Sequence, residues 1–97
     1  MNIQEDTWVW VVAQDPGDNE TLLGQQDDTN NVSFIPTFLE KGDAQTALER
    51  LIKEEGKKYE VQAIEYGLLT QHAVQNGFSV FILNGDGQIL QRIEKYD

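Results

Sequence analysis

The stretch SVFILNGDGQILQRI, Ser79–Ile93, decides how the chain is read. An apolar run, Phe78–Leu83, meets the acidic, glycine-rich Asn84-Gly85-Asp86-Gly87, and a mixed run follows to Ile93. The tetrapeptide is either a loop that grips a ligand or a turn. A metal or phosphotransfer motif of the DxDG type needs a carboxylate two positions before Asp86, where this chain has Asn84. A phosphate loop needs clustered glycines opening a helix, often with a Lys. Here the glycines lead into Gln88-Ile89-Leu90, which has strand composition. Asn-Gly and Asp-Gly accept the positive φ that tight hairpins demand. The stretch therefore reads as strand, turn, strand. Gly85 or Gly87 is expected at positive φ, and Asp86 in solvent without a ligand. Phe78–Leu83 is apolar on both faces, so it is a central strand; Gln88–Ile93 is mixed and belongs at the sheet margin.

Working outward, Asn76-Gly77 ends a short helix running from about Gly67 to Gln75. Its inner face carries Leu68, Leu69, His72 and Ala73. Before it, Tyr59, Val61 and Ala63 alternate with Glu60 and Gln62, a half-buried strand ending near Ile64. Ala44, Ala47, Leu48, Leu51 and Ile52 fall at i, i+3, i+4, i+7 and i+8, the apolar stripe of a helix over Asp43–Glu55 with Asp43 as N-cap. Val32-Ser33-Phe34-Ile35 reads as a strand, and Pro36, which lacks an N–H, marks an edge or the strand's end. Trp8-Val9-Trp10-Val11-Val12 is apolar on both faces and lies inside the sheet. Between these, Asp15–Asn31 is rich in breakers, with a turn at Asp15-Pro16-Gly17-Asp18 and a short strand at Thr21-Leu22-Leu23. The order βββαβαββ predicts one α+β domain over residues 1–97: a single mixed sheet of five to six strands with both helices packed on one face.

Composition narrows the chemistry. The 97 residues include no Cys, which removes disulfides, thiolate nucleophiles and cysteine–zinc sites. Seventeen acidic against seven basic side chains give a net charge of −10, a surface that repels nucleic-acid phosphates and anionic membranes. No apolar run approaches the ~20 residues of a membrane span. Met1–Asp6 shows no basic or apolar leader segment, which predicts a cytoplasmic protein.

Candidate sites are sparse. Asp15, Asp18 and Glu20 fail the calcium-loop spacing: an EF-hand started at Asp15 would put Glu20 where glycine belongs and Gln26 where the bidentate Glu belongs. His72 is the single histidine, and no motif brings a nucleophile or carboxylate to it. Trp8 and Trp10 share one face of a strand. They read as core, with the sharper alternative that one lines a partner's groove.

The terminal hairpin is similar to that of thioredoxin-like proteins, but the Cys-x-x-Cys is missing. A longer likeness is to the N-terminal domain of the SseB (enhanced serine sensitivity) family. Phe34-Ile35-Pro36-Thr37-Phe38 resembles its Pro-x-Phe segment, Asp43–Glu55 its amphipathic helix, and Gly77–Asn84 its strand before an Asn-initiated turn. The likeness covers roughly two-thirds of the chain, and it departs at Gly85, where the family tends to have Pro. It implies an α+β fold and a binding or accessory role, and it transfers no catalytic residues.

The expectation is a non-enzymatic protein-binding or accessory module, without cofactor or metal, whose partner is another protein or a second copy. The candidate interaction residues are Trp8, Trp10, Asp27 and Asp28. Two other readings stay open: a small ligand or divalent cation held by the acidic loops of Asp15–Asp28, and an enzyme using His72.

Overall fold

The computed structural model describes residues 3–93, so Met1 and Asn2 of the N-terminal segment read above lie outside the described residues. The fold is α+β. The elements are β1 (Trp8–Gln14), β2 (Thr21–Leu22), β3 (Gln25–Asp27), β4 (Val32–Thr37), α1 (Lys41–Leu48), β5 (Tyr59–Glu65), α2 (Tyr66–Asn76), β6 (Ser79–Leu83) and β7 (Ile89–Ile93).

The strands form two sheets, ordered β2-β1-β5 and β3-β4-β6-β7, in place of the single sheet expected. The extra strand is β3. Its Gln-Gln-Asp sequence carries no apolar alternation, so nothing in the side chains announces it. It exists because its backbone pairs with β4 from Gln25↔Phe34 to Asp27↔Val32. The chain leaves β1 after the Leu23 N–H donates to the Val12 carbonyl at 2.8 Å, and passes Gly24 before joining β4. Gly24 is needed there: a Cβ would stand 2.6 Å from the Phe78 ring. At the other end the sheets touch directly, where Trp10 and Phe38 exchange backbone hydrogen bonds of 2.8 and 2.9 Å.

This seam explains Pro36, which sits inside β4 between β3 and β6 and not on a sheet edge. The Phe38 N–H points at Trp10, so by strand alternation position 36 would point the same way. Pairing with β3 stops at Phe34 and the Trp10 bridge starts at Phe38. Pro36 falls in the gap, where no donor is required.

The helices lie on opposite faces of the strands, a correction to the one-face expectation. Alternating positions of the same strands belong to different cores. Val9, Val11, Ile35, Val80 and Ile82 pack with Tyr66, Leu69 and Ala73 of α2. Phe38, Phe81 and Leu83 pack with Ala44 and Ala47 of α1, flanked by Trp10, Phe34 and Val61. The double-sided apolarity of β1 and β6 is thus used on both sides, as in strands covered by a helix on each face.

Helix α1 is shorter than its stripe. It begins at Lys41 with Glu40 as N-cap, which makes no side-chain capping bond; Asp43 lies inside the first turn. It stops at Leu48 because tertiary partners capture the chain beyond. The Gln25 amide donates to the Ile52 carbonyl at 2.8 Å and accepts from the Ile52 N–H at 3.0 Å. The Lys53 ammonium turns back onto the Leu48 and Leu51 carbonyls, supplying the cation that favours a helix C-terminus. Ile52 is left 79% exposed, and Leu51 only half-buried. In α2, Leu69 and Ala73 are buried and His72 is half-buried, but Leu68 is 55% exposed and leaves the expected inner face. Gly77 ends α2 at φ 75, as a left-handed C-cap.

The 84–87 tetrapeptide is a turn. The Asn84 side-chain oxygen accepts the N–H groups of Asp86 at 3.0 Å and Gln88 at 2.9 Å, and Gly87 sits at φ 83. Asp86 is exposed, but it has a neighbour: its carboxylate lies 3.7 Å from Arg50, a solvated pair of small energetic weight. A register shift at Ile82/Leu83 follows, where the hairpin bulges.

Candidate functional site

The candidate interaction residues fall in two separate places. Trp8 and Trp10 lie on the α1 face of β1. Trp10 is half-buried, flanks the α1 core, and carries the Lys41 ammonium 5.5 Å above its ring, within cation–π range. Trp8 is 59% exposed and so is not core. The reason is position: α1 covers the middle of this face, and Trp8 is the first residue of the strand, opposite Glu65. Next to it runs β5, the edge of its sheet. Ala63, on the same face and opposite Trp10, is exposed. A large aromatic side chain is therefore displayed beside small Ala63 and an unpaired strand edge. The alternation of β5 was legible in the sequence; its edge position was not, because that depends on which strands pair.

Asp27 and Asp28 sit at the β3–β4 hairpin. The Asp27 carboxylate is organised by its own loop, accepting from the Asn30 amide at 3.0 Å, the Thr29 N–H at 3.1 Å and the Asn30 N–H at 3.4 Å. The Asn30 side-chain bond, above all, holds its pKa below the usual carboxylate value, with the two backbone donors and Arg92 acting in the same direction. Asp27, Arg92 and Phe81 line a hollow of about 350 Å³. The guanidinium of Arg92 lies 5.5 Å from the Phe81 ring, which stacks on Phe34 at 4.3 Å. Asp28 is exposed and lines a different, open groove of about 490 Å³ with Leu22, Gln25, Ile52 and Phe78.

The sign of the Asp27 contribution follows from its direction. A carboxyl with a depressed folded-state pKa stabilises the fold fully above its unfolded value, and that contribution disappears as pH falls through the folded one. We expect a carbon-detected NMR titration to place the Asp27 midpoint below the usual aspartate value, and Asn30→Ala to raise it. An unmoved midpoint in that variant would remove Asn30 as the cause.

The remaining acidic groups of Asp15–Asp28 do not converge. Asp15 accepts the Lys58 N–H at 3.2 Å and lies 3.6 Å from the Lys57 ammonium. Glu20 accepts from Gln62 at 3.1 Å. Among the described residues no three His, Asp or Glu side chains are grouped to hold a metal ion. His72 shares a shallow hollow of about 230 Å³ with Glu20, Thr21, Leu22 and Ile64. No helix among the described residues is long and apolar enough to cross a membrane. No family model, curated protein or solved structure matches this chain.

Proposed function

We propose that the chain is a non-enzymatic, cytoplasmic protein-binding or accessory module, the role its resemblance to the SseB N-terminal domain implies. The observation that carries this reading is Trp8, 59% exposed at the end of β1 beside the open edge of β5. Exposed tryptophan is unfavourable in water and is characteristic of interface centres, where it brings a large contact area at low entropic cost. Trp10 and Lys41 beside it supply a semi-rigid aromatic and cationic flank.

The test is site-specific photo-cross-linking in cells. A benzoylphenylalanine placed at position 8 is expected to give discrete adducts, and one placed at exposed Asp18 in the first turn is not. Adduct mass separates a second copy from a foreign protein. No discrete adduct at position 8, or the same adducts at both positions, refutes the reading.

A further inference from the structure

We propose that the open edge of β5 pairs with β5 of a second copy, antiparallel and about a two-fold axis at Gln62; this rests on the binding-module reading above. The backbone directions come first. The Asp15 N–H donates to the Lys58 carbonyl at 2.7 Å and the Tyr66 N–H to the Thr7 carbonyl at 2.8 Å. Even-numbered positions of β5 therefore face β1. By alternation the N–H and C=O groups of Tyr59, Val61 and Ala63 and the N–H of Glu65 face outward from the last strand of the sheet, while the Glu65 carbonyl opens α2 as its N-cap.

The edge is flat. Its register with β1 runs unbroken from Trp8↔Glu65 to Gln14↔Tyr59, and the strand contains neither Pro nor Gly. Natural sheets blunt an edge with proline, a bulge or inward charge when it must stay single. The opposite margin has such a device, the bulge between β6 and β7. On the α2 face Ile64 of β5 packs against the cluster of Leu69 and Ala73, and on the other face Ala63 is exposed.

The occupant follows from the side chains. An axis at Gln62, the middle residue, matches every position of β5. Tyr59 then faces Glu65 of the second copy, Glu60 faces Ile64, and Val61 faces Ala63. No carboxylate stands opposite another. Lys57, just before the strand, comes diagonal to Glu65 of the second copy, with its ammonium 3.6 Å from Asp15 of its own chain. A two-fold interface requires this kind of self-complementarity. Two strands bury less than the ~1,200 Å² of a standard interface, so the association is weak. Each copy carries −10, so salt should strengthen the pair as the Debye length shrinks from roughly 30 Å at 0.01 M to about 3 Å at 1 M.

The full chain contains no cysteine, so one introduced thiol reports cleanly. In Gln62→Cys the two thiols face each other across a non-hydrogen-bonded pair, with Cα atoms about 4.5 Å apart, inside disulfide range. In Glu60→Cys they are offset by four positions, roughly 14 Å. We expect the first variant to oxidise to a dimer at least about tenfold faster than the second, given that spacing. The unmodified chain should gain average mass in sedimentation equilibrium as concentration rises to roughly 1 mM, more so at high salt. Ala63→Pro removes only an outward N–H and should abolish that gain with circular dichroism unchanged. A chain monomeric at every salt concentration, or equal cross-linking of the two cysteine variants, overturns the pairing. If Ala63→Pro does not fold, the cysteine pair decides alone. A monomeric chain with a foreign adduct at position 8 would refute the pairing and leave the binding-module reading standing.

Discussion

Phe38→Ala is expected to cost about 3–5 kcal/mol, the range for deleting a fully buried phenylalanine. Phe38 has no exposed surface and joins Ala44 and Ala47 of α1 to Phe81 and Leu83 of β6. It is also the residue whose backbone ties the two sheets together through Trp10. Alanine keeps the backbone bonds and leaves a cavity under α1. An eight-residue helix whose buried side chains are two alanines has little helicity of its own; docking holds it. A domain of this size has roughly 5–15 kcal/mol in total, so the loss is a large fraction. With m near 1–3 kcal/mol/M in urea, the midpoint should fall by at least about 1 M. Trp10, a neighbour of the same cluster, should shift its emission in the folded baseline. A cost below about 1 kcal/mol, typical of a surface site, would mean that α1 does not rest on this residue.

Much of the fold was legible because its signals are local. The 78–93 hairpin follows from Asn84 and Gly87, whose conformational demands are met within the turn itself. β1 follows from its unbroken apolar run, and β5 and α2 from the period of their apolar residues. What escaped was set by tertiary partners. The stripe from Ala44 to Ile52 is helical in pattern, yet the Gln25 amide, distant in sequence, takes the Ile52 backbone out of the helix. β3 has no apolar pattern, since it is held by main-chain pairing with β4. Periodicity identifies the faces of a strand but not which helix covers each, so two helices assigned to one face lie on two.

The same limit applies to the candidate site. The aromatic pair on β1 was visible, but exposure separates its members: α1 shelters Trp10 and stops short of Trp8. Pro36 marks an edge or a strand's end by its chemistry; the structure has it next to last in β4, at the seam, and not on an edge. β5, which does stand at the end of its sheet, has no proline and no glycine. An edge is a property of topology, and the strand's own alternating composition is the same whether or not a neighbour is present.

Leu69→Ala should cost about 2–5 kcal/mol, while Leu68→Ala should stay within about 0.5 kcal/mol of the parent. The two residues are adjacent, equally apolar, and were indistinguishable by periodicity as members of one inner face. The structure separates them: Leu69 has no exposed surface and Leu68 is 55% exposed. Leu69 packs with Val9, Val11, Val80 and Ile82, on the side of the strands opposite Phe38. That placement gives a sharper expectation for a pair of milder changes. Phe38→Leu and Leu69→Val touch clusters with no residue in common, so their costs should add to within roughly 0.3–0.5 kcal/mol. Were both helices on one face, the cavities would share neighbours and the double variant would depart from the sum. Equilibrium urea unfolding of the two single variants and the double variant measures this directly, and a coupling above about 1 kcal/mol would contradict the two-faced arrangement.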